Sequence, residues 1–236
     1  LQQLFINKNI SVETLTCPPS LPLEPEEARR LKQLGTEPNC VYHPCSGKHA
    51  WILSSYGEPG SRPEDILDKH HMFQKNCQNV VQKRLGYLPE FVKDSCGLWC
   101  PVLPLSEMAQ LWQHLPHDVA AKTLVTLWQA NPDLVGGPGR LDSEITENTS
   151  GQVLAKEGAG GLIALTSLRG AWSIVVKLAS GYHQGHLALG LLSAMKCFVT
   201  RDADLESIQA LLEKRVSSLI EVGHILNVLD PSDALL

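Results

Sequence analysis

Runs of lysine and arginine are missing from this sequence, and its 236 residues carry a formal net charge of -5. A chain without clustered positive charge offers no electrostatic footprint for nucleic acid or for an anionic membrane surface. No apolar run reaches membrane-spanning length: the longest, Leu187 to Leu192, is interrupted by Gly190 and flanked by His186. Cysteine is sparse and irregular. Its seven copies follow neither a disulfide-scaffold nor a zinc-finger spacing, so several are expected to be plain buried thiols in a reducing compartment, the cytoplasm. Internal repeats and low-complexity tracts are absent. So is a basic-then-apolar start. The chain begins Leu1-Gln2-Gln3, and the expectation is a processed N-terminus or a piece of a longer protein.

What is present is an ordinary globular composition, 43% hydrophobic and 19% charged, long enough to bury a core and read here as one domain over residues 1–236. Residues 1–23 give no clear assignment. Helices are expected over Glu24–Leu34, with Pro25 and two glutamates in the first turn and Gly35 as the stop. Others are expected from Ser46, taken as an N-cap, and over Pro63–Leu85, Leu105–Leu115, Asp118–Ala130, His183–Val199 and Leu205–Leu212. Phe91–Pro101 reads as a short extended segment. Strands are expected over Val153–Lys156, Leu162–Leu168, Ala171–Leu178 and Val216–Leu229. Helices mixed with strands that gather towards the C-terminus indicate an α+β chain, with helices covering an antiparallel sheet.

Two polar clusters carry the chemistry. Cys45 and Lys48, three apart in a helical turn, share a face. Asp94 and Cys96, two apart on an extended segment, share a side. Two thiols, a carboxylate and an amine are enough donors for a tetrahedral zinc, provided that the lysine is neutral. The alternative is two buried thiols and a Lys48–Asp94 ion pair. Ser46 and Lys48 are offset by two and point apart on a helix, which does not suit a Ser-x-x-Lys nucleophile. The glycine stretches Gly136–Gly139 and Gly158–Gly161 read as plain turns more readily than as anion cradles. Arg140 and Asp142 read as an ion pair, or Arg140 as a carboxylate-binding arginine. Lys177, between Val176 and Leu178, is either a solvent-facing strand lysine or a general base aimed at a pocket.

In order, Cys45-Ser46-Gly47-Lys48-His49-Ala50, Asp94-Ser95-Cys96-Gly97 followed by Pro101-Val102-Leu103-Pro104-Leu105, Gly137-Pro138-Gly139-Arg140-Leu141-Asp142, and Ala155-Lys156-Glu157-Gly158-Ala159-Gly160-Gly161 resemble the rhizobial-type (thermolabile) L-asparaginase family. The likeness runs from about Glu24 to Lys196. It implies a fold like that of serine β-lactamases and penicillin-binding proteins, an antiparallel sheet with helices on both faces. It implies hydrolysis of the side-chain amide of L-asparagine to L-aspartate and ammonia, and a homodimer. It implies zinc on Cys45, Lys48, Asp94 and Cys96, a catalytic role for Lys177 in a Ser-Lys pair, and substrate-binding roles for His49 and Arg140. Ser95 stands where the family has glycine, and the family's Ser-x-x-Lys motif does not occur upstream of Cys45. The nucleophile is therefore expected to lie outside this N-terminally truncated chain. The other reading is a degenerate, non-catalytic relative that keeps the fold and the metal and serves as a ligand-binding or interaction protein.

Overall fold

Proline, glycine and self-capping polar residues punctuate the chain often enough to keep most helices short. The computed structural model describes residues 11–57, 61–169, 172–179, 181, 184–196 and 202–221, and their contacts gather into two units that divide between Leu103 and Pro104. The chain is α+β, and the described residues hold two small antiparallel sheets, one in each unit.

In the first unit, α1 (Pro25–Gln33) begins where expected: the Glu24 carboxylate accepts from the backbone N–H of Glu26 at 3.0 Å and of Glu27 at 2.5 Å. Helix α2 (Ser46–Tyr56) starts one residue earlier than Ser46 capping would give. Cys45 holds the cap position and Ser46 is already helical. The single helix expected over Pro63–Leu85 is two elements, a 3-10 turn (Pro63–Leu67) and α3 (Met72–Leu85). Polar side chains between them compete for the backbone. Asp68 Oδ1 accepts from His70 N at 2.7 Å, and His71 Nδ1 accepts from Phe73 N, capping α3 afresh. Gly86, at φ 81°, ends α3 in the left-handed conformation that glycine adopts without strain. Strands β1 (Phe91–Lys93) and β2 (Trp99–Pro101) then form a hairpin in the register Phe91↔Pro101, Lys93↔Trp99. Leu15, Cys17, Ala50, Ile52, Ile66, Cys96 and Leu98 make the core of this unit.

The second unit opens with α4 (Leu105–His114). Helices α5 (Lys122–Ala130), α6 (Pro132–Val135) and α7 (Leu141–Asn148) follow. Strands β3 (Val153–Gly158), β4 (Leu162–Ser167) and β5 (Ser173–Lys177) form a meander, and α8 (Gln184–Met195) and α9 (Ala203–Glu221) pack as a pair. Ala155, Leu165 and Ile174 align across the sheet on the face covered by α7, α8 and α9. Ser173 faces the other way, and its hydroxyl donates to Ala109 O of α4 at 2.7 Å. The strand expected over Val216–Leu229 is overturned as far as Glu221, and the remainder lies outside the described residues. Leu205, Ile208, Leu212 and Val216 are all buried. Their spacing of three and four is one helical stripe, which outweighs the β-branched residues that suggested a strand.

Candidate metal-binding site

The two polar clusters meet in the first unit. Cys45 is fixed at the start of α2 by its neighbours: its backbone N–H donates to His43 Nδ1 at 3.0 Å, and its carbonyl accepts from His49 N at 3.0 Å. One turn further on, α2 carries Lys48 and His49. The facing residues come from the β1–β2 loop. It is closed by Asp94 N donating to Leu98 O at 2.9 Å and Gly97 N donating to Asp94 O at 3.0 Å. Gly97, at φ 88°, makes that tight closure possible. Trp99 Nε1 donates to Leu67 O at 3.0 Å and ties the hairpin to the 3-10 turn before α3.

The Cys45 and Cys96 thiols act on one another's titration, Lys48 acts on Cys45, and Cys96 acts on Asp94, which places the two clusters in one neighbourhood. All four residues expected to bind metal are thus brought together. Asp94 Oδ1 accepts from Cys96 N at 2.7 Å, while the Cys100 thiol donates to Oδ2 at 3.6 Å. His49 is fully buried against the Cys96 thiol. Its Nδ1 shares a 2.7 Å hydrogen bond with Thr16 Oγ1, and its buried Nε2 makes no hydrogen bond. Cys100 and Thr16 were not found by sequence reasoning. The compact Asp94–Cys100 spacing was a signal for the first. Thr16 is 33 positions from His49 and gave none.

Charge is shared unevenly in this cluster. The Cys96 hydrogen bond, opposed by burial and assisted by Lys48, lowers the Cys45 thiol from its ordinary 9.0 to about 6. Cys96 is pushed far upwards by its hydrogen bond to Cys45 and by burial. The two thiols titrate as a coupled pair, the first proton leaving below the ordinary thiol range and the second above it. Burial and the Asp94 charge push Cys100 up to about 11. For Lys48 burial pulls downwards, but Cys45, Cys96, Asp94 and Cys100 outweigh it and raise the pKa. Burial would raise Asp94, but the Cys96 thiol and N–H, then Lys48 and Cys100, hold it below the usual carboxylate range.

A pH prediction follows for the metal-free protein. Cys45 has a folded pKa below its unfolded value, so its contribution to stability is full above pH 9 and is lost as pH falls through about 6. Cys96 and Cys100 are raised, so theirs is present below pH 9 and is lost above it. Thermal stability of the first unit should climb between these limits and then turn down. One thiolate should appear near pH 6 in ultraviolet absorbance, and Cys45→Ser should remove it. Appearance of the first thiolate only near pH 9 would refute the assignment.

As donors, two thiols, a carboxylate and an amine suit a thiophilic cation, and a buried ring nitrogen without a partner lies beside them. Among the described residues, no three His, Cys, Asp or Glu side chains already stand in a metal-enclosing arrangement.

Arg140 and Lys177 belong to the second unit. Arg140 pairs with the buried Glu157, not with Asp142. Asp142 instead accepts from Lys156 Nζ at 2.8 Å and Glu157 N at 2.9 Å. Lys177 has an exposed side chain whose Nζ donates to Gly160 O and to Leu178 O. The glycine stretches are close-packed turns: a Cβ on Gly136 would lie 2.2 Å from Asp142 Oδ1, and one on Gly161 2.5 Å from Gly181 O.

Among known proteins, the family model described as L-asparaginase II matches residues 1–226. No curated protein matches the chain.

Proposed function

Because the chain belongs to the L-asparaginase II family, we propose that it is an amidohydrolase that releases ammonia from the side-chain amide of L-asparagine. The family match over residues 1–226 carries this reading. The approach of Cys45 and Lys48 on α2 to Asp94 and Cys96 in the β1–β2 loop supports the finer part, that these residues hold zinc. Zinc bound there would supply a Lewis-acidic or structural centre at the substrate pocket. The protein's own part is to surrender protons. Lys48 and Cys96 must each lose one to become donors, whereas Cys45 gives up its proton readily. His49, tied to Thr16, would orient a polar group of the substrate, and Arg140 would hold a carboxylate. Lys177 would serve a serine nucleophile as proton acceptor. The same proposal takes residues 1–236 as one domain of the serine β-lactamase and penicillin-binding-protein type, cytoplasmic and homodimeric. Helices on both faces of the β3–β4–β5 sheet are in keeping with that fold.

A non-catalytic relative is the second reading. The observation favouring it is Lys177, whose Nζ donates to two backbone carbonyls as the fastener of a turn. Ammonia release from L-asparagine separates the two. Under the enzyme reading the protein, or the protein extended upstream, should hydrolyse asparagine, and Lys177→Ala should lower kcat by at least about 100-fold. Zinc-loaded protein that releases no ammonia in either form would establish the non-catalytic reading.

A further inference from the structure

We infer that an open cleft on the Trp99 face of the β1–β2 hairpin is a binding site for a small aromatic carboxylate. Pleating gives the hairpin two faces. Val92 and Cys100 are cross-strand partners on one, the side on which the Cys100 thiol reaches Asp94. Lys93 and Trp99 are partners on the other. Beside Trp99 lies a cleft of about 340 Å³, at the small end of the cavities that hold ligands. None of the four proposed metal donors lines it.

The walls of the cleft are fastened to one another. Trp99 Nε1 donates to Leu67 O at 3.0 Å, Gln78 Nε2 donates to Lys69 O at 3.1 Å, and Val102 N donates to Glu90 O at 2.8 Å. These bonds hold the hairpin, α3 and the segment before α3 around the cleft, so little order has to be imposed on binding. Leu88, Pro89, Phe91 and Trp99 supply an apolar lining, and Leu88 is 50% exposed. Positive charge gathers at the same ring. Lys69 Nζ stands 5.9 Å from the Trp99 ring centre and Lys93 Nζ 5.6 Å from it. The exposed His70 joins Lys69 in the lining, and Glu90 is the one carboxylate there. Among the described residues neither lysine amine has an ion-pair partner. An aromatic ring laid in the cleft would cover Leu88 and Phe91, and its carboxylate would meet the two amines gathered over Trp99. A neutral ligand of the same shape would gain nothing from those amines.

This site stands apart from the amide-hydrolysis reading and from zinc. The test replaces the five tryptophans of the full chain by fluorotryptophan and assigns the Trp99 signal as the one lost in Trp99→Phe. Naphthoate is then titrated against naphthalenemethanol, its uncharged counterpart. The Trp99 fluorine signal should shift saturably with naphthoate. The alcohol should bind more weakly, and added salt should weaken only the carboxylate. Lys69→Gln and Lys93→Gln should each cost about 2- to 5-fold in naphthoate affinity, the range of an exposed ion pair, and leave the alcohol unchanged. Both lysines are exposed, so the fold should survive their replacement. No saturable Trp99 shift, equal affinity for the two probes, or wild-type naphthoate affinity in the double variant overturns the inference.

Discussion

Replacing Asp142 by alanine should destabilise the second unit by about 1–3 kcal/mol, the usual result of leaving a buried donor without its acceptor. The Asp142 side chain is fully buried. Oδ2 accepts from Lys156 Nζ and Glu157 N, and Oδ1 from Ser143 N at 3.1 Å. The truncated residue would leave the buried Glu157 N–H without its acceptor, while the partly exposed Lys156 amine would turn to water. Strain would reach the neighbouring pair as well, since the Glu157 carboxylate accepts from Arg140 and from Leu141 N at 3.1 Å. Asp142→Asn keeps the shape and loses the charge, so it should fall between alanine and wild type. By contrast the exposed Glu27–Arg30 pair on α1 is solvent-screened and contributes little. Hydrogen exchange of the β3 and β4 amides reads the effect inside this unit. A loss of protection below about 1 kcal/mol would refute a structural role for the buried pairs.

Zinc binding by the reduced protein should be stoichiometric and should collapse in Cys45→Ala and Cys96→Ala. Loss of an outer partner of a metal site typically costs about 10–100-fold in affinity, and loss of a ligand should cost more. Cys100→Ser and Thr16→Val fall in the outer class, the first acting through Asp94 and the second through His49. Affinity should rise with pH, because Lys48 and Cys96 hold their protons more tightly than usual and the metal must displace them. Calorimetry in buffers of different ionisation enthalpy would count the released protons. Wild-type affinity in Cys45→Ala would remove these four residues as the site. Chelation of bound zinc should lower the thermal stability of the first unit.

Much of this was legible in the chain. Glu24 and Pro25 announce α1 because caps act within one turn, and the β3–β4–β5 meander follows from short apolar runs divided by Arg169-Gly170 and a glycine turn. The pairing of Cys45 with Lys48 and of Asp94 with Cys96 was legible because spacings of two and three fix a shared side locally, whereas the expectation that the two pairs form one site rested on the family resemblance. Three features were not. The break between Leu67 and Met72 depends on Asp68 and His71 preferring the backbone to the solvent. The pairing of Arg140 with Glu157, not with Asp142, is decided by how α7 lies on β3. The C-terminal helix was misread where β-branched residues hid a helical stripe.

The hairpin that carries Asp94, Cys96 and Cys100 constrains length more tightly than identity. Lys93 and Trp99 are paired, and the five residues between them are spanned by the Asp94–Leu98 backbone hydrogen bond. One residue added or deleted there would shift the pleat of β2 and turn Cys100 and its neighbours to the opposite side. Descendants of this sequence can exchange the exposed Ser95 for other residues, but an insertion or deletion between Asp94 and Leu98 would separate the carboxylate from the thiols in a single step.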